Sequence, residues 1–367
     1  MSGSRRVYAF RADASLHAGT GHVMRCLTLA DALRATGAEC RFICRAHPGH
    51  LAWLIRERGY EVDLLPQTLS SDSQDYDDRL GSDWATDARE TGAITARGKP
   101  DWLVVDHYAI DSRWEGQLRS TAHKILVVED LATRVHDCDA LLDQTFGRVS
   151  EDYRDRLPAS CTVLAGSRYA LLRPQFAALR ASALERRQTA RLRQILISMG
   201  GFDQANVTLR VLESLRALPL PGECGVTVVL RNDAPWLSQV QKFACDMPWP
   251  TQVLVDVADM ATLMANADFG IGAAGSTSWE RCALGLPSFL VITADNQRDV
   301  AAALGRAGAA YVAAEVADIP RALSGATREL LSAPGAFLRM SEAASQVTDG
   351  KGVSRVLQHL DPEAVVE

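Results

Sequence analysis

The chain is 367 residues long, 47% of them hydrophobic and 23% charged, with a formal net charge of −6 at pH 7. This length is sufficient for two domains with separate cores, and the composition is that of an ordinary soluble globular protein. The negative balance provides no basic field for a polyanion, so a nucleic acid is not expected as a partner.

The N-terminal residues and the cysteines indicate a cytoplasmic protein. The chain opens with Met-Ser-Gly-Ser-Arg-Arg, without an apolar signal region, and contains no apolar run of membrane-spanning length. Neither secretion nor a membrane partner is therefore expected. The eight cysteines form no C-x-x-C pair, and Cys26, Cys40 and Cys282 lie in apolar segments, which is typical of reduced core cysteines. No Cys/His cluster has ligand spacing, so no metal site is expected.

The first predicted elements are a strand, a glycine-rich loop and a helix. The apolar run Val7–Phe10 is followed by Gly19-Thr20-Gly21-His22 and by a helical repeat that ends at Gly37. The N–H groups of a helix N-terminus suit an anion, and the helix dipole disfavours imidazolium in the first turn. We therefore expect His22 to be neutral and able to accept a proton.

The same motif has a plainer interpretation, since a Gly-x-Gly turn after a strand is common and often binds nothing. The dinucleotide fingerprint is also incomplete. Its third glycine would fall at Met24, and Arg45 rather than an acid follows the second predicted strand, Cys40–Cys44. NAD is therefore disfavoured, and no cofactor is predicted.

Strands and helices alternate through the first half, which predicts a parallel sheet covered on both faces. A polar, Asp- and Ser-rich stretch over residues 66–83 interrupts the pattern and is predicted to be a solvated loop rather than a lid. The predicted strands of this half are Val7–Phe10, Cys40–Cys44, Val62–Leu65, Trp102–Val105, Ile125–Val128 and Ala140–Leu142.

The alternation begins again after residue 190, so two Rossmann-like domains facing across a cleft are predicted. The two domains cover residues 1–165 and 190–345. Residues 346–367 form a helical tail, and one possible arrangement packs this tail on the first domain. Open α/β sheets bind ligands at the carboxyl ends of their strands, so the cleft is the expected site. The predicted strands of the second half are Ile195–Ser198, Val226–Leu230, Val253–Val255, Phe269–Gly272 and Ser288–Ile292.

Two motifs follow predicted strands at these ends. Asp106-His107-Tyr108 would lie in the cleft, although Asp106 could instead cap the next turn while Tyr108 packs. Gly200 and Gly201, within the Ser198–Asp203 stretch, would let the backbone approach a pyrophosphate. The alternative for this second motif is a tight turn into a helix that begins near Ala205.

A third motif completes a nucleotide site. In the small-residue loop that contains Gly275, either Ser276 or Thr277 is expected to cap the next helix. Glu280 could accept both hydroxyls of a ribose, and Asn296-Gln297 follows the next strand. Each of these alone is also compatible with a capped helix and a solvated glutamate.

Together the motifs resemble those of the UDP-2,4-diacetamido-2,4,6-trideoxy-β-L-altropyranose hydrolases of pseudaminic acid biosynthesis. The matching residues run from residue 11 to about residue 300 in the family's order. Departures are Ala18, where the family often has a larger aliphatic residue, and the acidic stretch at residues 70–78. The motifs are Gly19-x-Gly-His-x-x-Arg25, Asp106-His-Tyr108, Met199-Gly-Gly-x-Asp203, Gly275-Ser276 with Glu280, and Asn296-Gln297.

The resemblance implies a two-domain fold of the glycosyltransferase B type, related to the peptidoglycan N-acetylglucosaminyltransferase. It also implies hydrolysis of a UDP-sugar at the anomeric carbon, with inversion and without a metal, and the family's catalytic histidine matches His22. We assign substrate binding in the first domain to Asp13, Gly19, Gly21, Arg25, Asp106, His107 and Tyr108. In the second domain we assign it to Gly200, Gly201, Phe202, Gly275, Ser276, Glu280, Asn296 and Gln297.

The proposed chemistry needs a base for water and hydrogen-bond donors for the pyrophosphate, because UDP is a good leaving group. His22 would be the base, with His17 as the second candidate, and Asp13 or Asp106 would orient the imidazole. A single displacement by water would invert the anomeric carbon.

Two other functions remain open. A glycosyltransferase would need an acceptor groove or a membrane-facing patch in the first domain, and no basic-apolar stretch of that kind occurs there. A non-catalytic sugar-nucleotide binding module would not need a base at a helix start. The expected partner is a UDP-sugar; the sequence leaves the oligomeric state open, and a monomer is compatible with it.

Overall fold

The computed structural model describes residues 5–16, 19–68, 77–189, 191–200, 202–333 and 335–362. His17, Ala18 and Gly201, and residues 69–76 of the predicted acidic loop, lie outside this part of the chain. The chain divides into two compact units. The first runs to Leu171 and resumes at Gly352, and the second is Leu172–Lys351.

The first unit contains a seven-stranded parallel sheet with the order β3-β2-β1-β4-β5-β6-β7. The six predicted strands are confirmed, each with small changes at its ends. The seventh was not predicted, because it is a short edge strand with only one of its four residues fully buried. The strands are β1 Val7–Ala12, β2 Glu39–Arg45, β3 Glu61–Leu65, β4 Trp102–Asp106, β5 Lys124–Glu129, β6 Ala140–Asp143 and β7 Thr162–Ala165.

Helices cover both faces of this sheet. One face packs Phe10, Phe42 and Val104 against Leu27 of the first helix, and the other packs Leu103 and its neighbours. The first helix has the predicted apolar face, and Gly37 follows its end with φ +93°. The helices are α1 Gly21–Ala35, α2 Ala52–Glu57, α3 Trp84–Thr95 and α4 Ser112–Leu118, with 3₁₀ turns at Asp77–Leu80, Ser150–Tyr153 and Ser167–Tyr169.

The second unit contains a six-stranded parallel sheet with the order β10-β9-β8-β11-β12-β13. The five predicted strands are confirmed. The last strand was missed because it is short and alanine-rich, and alanine is depleted in strands. The strands are β8 Gln194–Ser198, β9 Gly225–Leu230, β10 Thr251–Val255, β11 Phe269–Ala273, β12 Ser288–Val291 and β13 Ala310–Ala313.

Helices of the second unit bury apolar residues, including Val211 and Leu323, against one face of its sheet. The first helix of this unit, α5, begins with Pro174 at a position where the missing N–H costs nothing. These helices are α5 Pro174–Arg187, α6 Val207–Arg216, α7 Leu237–Cys245, α8 Met260–Asn266, α9 Thr277–Ala283, α10 Arg298–Arg306, α11 Ile319–Ser332 and α12 Ala336–Val347, with 3₁₀ turns at Asp295–Gln297 and Val316–Asp318.

The last helix, α13 (Gly352–Leu360), returns to the first unit and packs against α1. Val356, Leu357 and Leu360 join the apolar core of that unit. The first residue of α13 is a glycine because a Cβ at position 352 would lie 2.2 Å from the Ala170 carbonyl oxygen. None of the helices in the described ranges is long and apolar enough to cross a membrane.

Candidate active site

His22 lies in the first turn of α1, beside the carboxyl end of β4. The strands β1 and β4 are neighbours, and Ala12 is in register with Asp106, the last residue of β4. A residue that follows β1 can therefore lie close to Asp106. Nδ1 of His22 is 2.5 Å from Oδ1 of Asp106. Both side chains are buried.

The Asp106 carboxylate is ionised. Burial alone would raise the pKa of Asp106, but the charge of Arg25 and the contacts with His22 hold that pKa well below its usual range. A carboxylate can only accept, so the hydrogen bond assigns the proton to Nδ1 of His22 and leaves Nε2 as the acceptor nitrogen. This is the tautomer that a general base requires.

Arg25 holds Asp106 in place. Nε and Nη2 of Arg25 each donate to the Asp106 carboxylate at 2.6 Å, and Nη1 donates to Asp130 at 3.1 Å. The Arg25 side chain is 7% exposed. The sequence motif predicts that Arg25 binds substrate, but its buried, two-point pairing with Asp106 favours a positioning role.

The loop after β4 is anchored by Arg134. Nη1 of Arg134 donates to the carbonyl oxygens of His107 at 3.1 Å and Ile110 at 2.8 Å, and also to that of Tyr108. The Tyr108 ring meets the His22 ring edge to face, with centroids 4.7 Å apart. This loop therefore keeps the side chains of His107 and Tyr108 near Asp106, the last residue of β4.

Asp13 does not bind His22. Its Oδ1 accepts from the backbone N–H of Arg45 at 2.6 Å and lies 2.7 Å from Nη1 of Arg11. Of the two carboxylates that could orient His22, the structure therefore places Asp106 there. Asp13 ties the end of β1 to the end of β2, because Arg45 is the last residue of β2.

The two glycines before His22 have different environments. The N–H of Gly19 donates to the Ser15 carbonyl oxygen at 2.9 Å, so this N–H is occupied, which argues against the predicted anion contact. The φ of Gly19 is +75°, which explains a glycine there. Gly21 is the first residue of α1, where N–H groups have no partner within the helix.

An open pocket in the first unit is lined by side chains that follow β1, β2 and β4, with His22 of α1 among them. His47 and Arg79 also line the pocket, and neither is among the site residues predicted from the sequence. The position of His47 contained the signal, because it lies two residues beyond the end of β2, next to β1. The lining residues are Asp13, Ser15, His22, His47, Arg79, His107 and Tyr108.

In the second unit, the loop after β8 leads into α6. Gly200 has φ +99°, and the Arg231 guanidinium lies 4.5 Å from the centroid of the Phe202 ring. The Asp203 carboxylate accepts from the N–H groups of Val207 and Thr208, so Asp203 caps α6.

The loop between β11 and α9 is held by a buried arginine. Ser276 is at the N-cap position of α9, but its side chain makes no capping hydrogen bond, and the predicted cap is therefore wrong at Ser276. Thr277 does not cap α9 either, because it is the first residue of the helix and its Oγ1 accepts from Nη1 of Arg281 at 3.3 Å. Arg281 also donates from Nη2 to the Ala273 carbonyl oxygen at 2.8 Å.

Glu280 and Gln297 make local contacts. The Glu280 carboxylate is 17% exposed and 3.6 Å from Nη2 of Arg173, and burial raises the pKa of Glu280. Gln297 accepts from the backbone N–H of Thr293, while Asn296 is on the surface. The loops that carry the predicted nucleotide residues follow β8, β11 and β12, which are consecutive in the sheet.

The chain matches the family described as the glycosyltransferase family 28 C-terminal domain over residues 161–356, and it belongs to that family. Its two parallel-sheet α/β domains have the fold of the glycosyltransferase B type. MurG of Acinetobacter baumannii has this fold with a TM-score of 0.69 at 18% identity, covering 98% of this chain and 99% of the MurG chain.

Two relatives are similar to this chain over most of their length. The UDP-2,4-diacetamido-2,4,6-trideoxy-β-L-altropyranose hydrolase of Campylobacter jejuni is 28% identical over 300 residues, which cover 82% of this chain and 96% of the relative. The spore coat polysaccharide biosynthesis protein SpsG of Bacillus subtilis is 24% identical over 350 residues, covering 94% and 95%.

Proposed function

We propose that the protein hydrolyses a UDP-linked 2,4-diacetamido-2,4,6-trideoxy sugar to UDP and the free sugar, as a step of pseudaminic acid biosynthesis. The observation that supports this most directly is the pocket in which Asp106 holds Nδ1 of His22 and leaves Nε2 as an acceptor. The reaction named for the C. jejuni relative supplies the substrate class.

In the proposed step, the oxygen of a water molecule attacks the anomeric carbon while Nε2 of His22 takes a proton from that water. The bond between the anomeric carbon and the oxygen of the UDP β-phosphate breaks, and UDP leaves with the electron pair. One displacement inverts the configuration at the anomeric carbon. Asp106 would stabilise the imidazolium that forms, as the carboxylate of a catalytic triad does.

We propose that the second unit binds UDP through the loops after β8, β11 and β12. A Cβ added at Gly200 or Gly275 would meet no atom of the described residues within 4 Å, so these backbones face open space. Gly201, outside the described residues, belongs to the same proposed turn. Phe202, Ser276, Asn296 and Gln297 would complete the site, with Glu280 as the acceptor for ribose hydroxyls.

Transfer of the sugar to an acceptor other than water is the second candidate. It is favoured by the match to a glycosyltransferase family over residues 161–356. The first unit would then bind an acceptor hydroxyl where the hydrolase binds water, and His22 would deprotonate that hydroxyl instead.

The experiment is an assay of the purified chain with the UDP-diacetamido sugar and a panel of common UDP-sugars, without an added acceptor. We expect UDP and free sugar in equal amounts, with the inverted anomer seen first by ¹H NMR. UDP release that depends on an added acceptor would support the transferase. Binding without turnover of any panel member would support a non-catalytic module.

A further inference from the structure

Three buried polar side chains converge in the pocket beside His22. Oδ2 of Asp13 is 3.5 Å from Nε2 of His47 and 3.5 Å from Nε2 of His107. The three residues are 2%, 1% and 8% exposed. Within the described ranges, Oδ2 of Asp13 and both ring nitrogens of His47 have no hydrogen-bond partner. Buried polar atoms are rarely left in this state, which points to a ligand.

The three groups are held in place by the surrounding chain. The other oxygen of Asp13 is engaged by the Arg45 backbone. Nδ1 of His107 accepts from the N–H of Ala109 at 3.0 Å. The His47 ring packs on Gly81, where a Cβ would lie 2.6 Å from Cε1 of the imidazole. The unpaired atoms are therefore preorganised and cannot turn away to find other partners.

The charges of the groups define the chemistry of the ligand. Burial alone would raise the pKa of Asp13, but the charge of Arg11 and the contact with His47 hold it well below its usual range. Burial lowers the pKa of His107 to about 3, so its ring is neutral. Because Nδ1 of His107 accepts a hydrogen bond, its proton is on Nε2. The site thus presents a fixed acceptor beside a fixed donor.

A neutral group with one donor and one acceptor complements this arrangement. A phosphate would offer only acceptors and would be repelled by the Asp13 carboxylate, even though Arg79 also lines the pocket. A secondary amide has an N–H and a carbonyl oxygen in a fixed relation, which matches the pair.

We propose that Asp13, His47 and His107 bind one acetamido group of the sugar. Oδ2 of Asp13 accepts from the amide N–H, and Nε2 of either His107 or His47 donates to the amide carbonyl oxygen. The identity of the ligand rests on the proposed function, and the site explains how the first unit selects an acetamido sugar over one with a hydroxyl at that carbon.

The test is a binding cycle measured by calorimetry. The ligands are the UDP-diacetamido sugar and its two analogues in which the 2- or the 4-acetamido group is replaced by hydroxyl. All proteins are full-length and carry His22→Asn, so that no ligand is hydrolysed during the titration. One is otherwise wild type, and the others add His47→Leu, which removes the ring's polar atoms, His47→Gln, which keeps a donor near the position of Nε2, or His107→Asn, which keeps the acceptor for Ala109. Circular dichroism and thermal unfolding check the fold of each.

We expect one of the two analogues to bind the otherwise wild-type protein about 10- to 100-fold more weakly than the parent sugar, as for a charge-assisted hydrogen bond. In His47→Leu or His107→Asn, according to which ring donates, that ratio should fall towards one, whereas His47→Gln should keep most of it. A ratio in both His47→Leu and His107→Asn that equals the ratio in the otherwise wild-type protein would overturn the site. Binding is measured in the His22→Asn background and turnover in the wild type. The expected ratio in the binding experiment, together with no turnover by the wild type, would reject the proposed hydrolysis and leave the site standing.

Discussion

The hydrogen bond between His22 and Asp106 determines which ring nitrogen is available to a substrate. Since Nδ1 donates to the carboxylate, Nε2 is the only ring atom that can accept a proton from water. Arg25 in turn fixes both oxygens of Asp106. The rotation of the imidazole is thereby restricted by contacts that a substrate does not have to supply.

We predict that His22→Asn lowers kcat by about 10²- to 10⁴-fold, the usual contribution of a general base, and leaves UDP affinity unchanged. Steady-state kinetics and calorimetry with UDP measure both quantities. His123→Asn, at an exposed histidine of the same unit, is the matched control and should have no effect. His17→Asn should lose far less than His22→Asn. A His22→Asn enzyme within a few-fold of wild type would mean that another group activates water.

Asp106→Asn is predicted to lower kcat by about 10²- to 10⁴-fold, because an amide can hold the imidazole in the wrong tautomer. The variant also removes the charge of the carboxylate that pairs with buried Arg25, while the contact of Arg25 with Asp130 remains. Breaking a buried ion pair typically costs about 3–5 kcal/mol of stability, so thermal unfolding must be measured alongside. The decisive readout is the double variant. If Asp106 acts through His22, combining both changes should lose no more kcat than His22→Asn alone. A double variant whose loss in kcat equals the product of the two single losses would contradict that coupling.

Glu280→Ala is predicted to weaken UDP binding by about 1.5–3 kcal/mol through the loss of hydrogen bonds to a charged acceptor. Calorimetry with UDP measures this, and Glu213→Ala, at an exposed position of the same unit, is the control. Equal affinities in the two variants would remove Glu280 from the nucleotide site.

At the residue scale, the sequence predicted where site residues lie along the strands better than it predicted which side chains they contact. His22 and Asp106 follow strands, and the topology of parallel sheets brings such positions together. The pairing of Arg25 with Asp106, 81 residues apart, depends on side-chain packing that no local pattern contains. The same holds for Asp13, which pairs with Arg11 and the end of β2 instead of His22. His47 was missed because a single histidine in a turn has no motif, and its position after the end of β2 was the only signal for it.

Among the elements, β11 packs against α9 in a way that requires glycine. A Cβ at Gly272 would lie 2.5 Å from Nη1 of Arg281 and 2.6 Å from the Ser198 carbonyl oxygen. The Ser198 oxygen belongs to the backbone of the neighbouring strand, so it cannot move aside. Arg281 can therefore reach the carbonyl oxygen of Ala273 only because this strand position lacks a side chain.

Gly272→Ala is accordingly predicted to destabilise the second unit by about 1–3 kcal/mol, the usual cost of overpacking. Urea unfolding measures the change. Gly325→Ala is the control: this glycine is exposed within α11, and its Cβ would meet nothing within 4 Å. It should stabilise the unit by about 0.5–1 kcal/mol, because glycine disfavours a helix. Equal stability of Gly272→Ala and wild type would show that the loop can shift without cost.

Sequence predicted long apolar strands more reliably than short edge strands. Eleven strands were found from their apolar runs, and the two that were missed, β7 and β13, lie at sheet edges and have four residues each. An edge strand is stabilised by one neighbour and its burial is partial, so its residues show little alternation or apolar clustering.

On the scale of the whole molecule, a buried charge network makes stability depend on pH. His136 is enclosed by two carboxylates, with Nδ1 2.7 Å from Glu115 and Nε2 3.0 Å from Glu129. Burial alone would lower the pKa of His136, but the hydrogen bonds to Glu115 and Glu129 raise it to about 9. The unfolded chain has the ordinary histidine pKa of about 6.5. The folded state therefore binds this proton more tightly.

Proton linkage gives the direction in which the free energy of unfolding changes with pH. The stabilisation from His136 is fully present below pH of about 6.5 and is lost as the pH rises through about 9, a difference on the order of 3 kcal/mol. We predict that His136→Gln removes this loss, so the gap in unfolding free energy between wild type and variant narrows from pH 6 to pH of about 9.5. Urea unfolding across that range measures the gap. A gap that does not change with pH would show that His136 is not charged in the folded state.

The return of α13 to the first unit has a consequence for synthesis on the ribosome. Domains usually fold in the order in which they are translated, yet the core of the first unit needs Val356, Leu357 and Leu360. While the second unit emerges and folds, the nascent first unit still exposes the apolar surface of α1 that α13 will cover. Residues 172–351 can therefore complete their core before the first unit does. The first unit, which contains His22 and Asp106, can complete its core only after α13 has been translated.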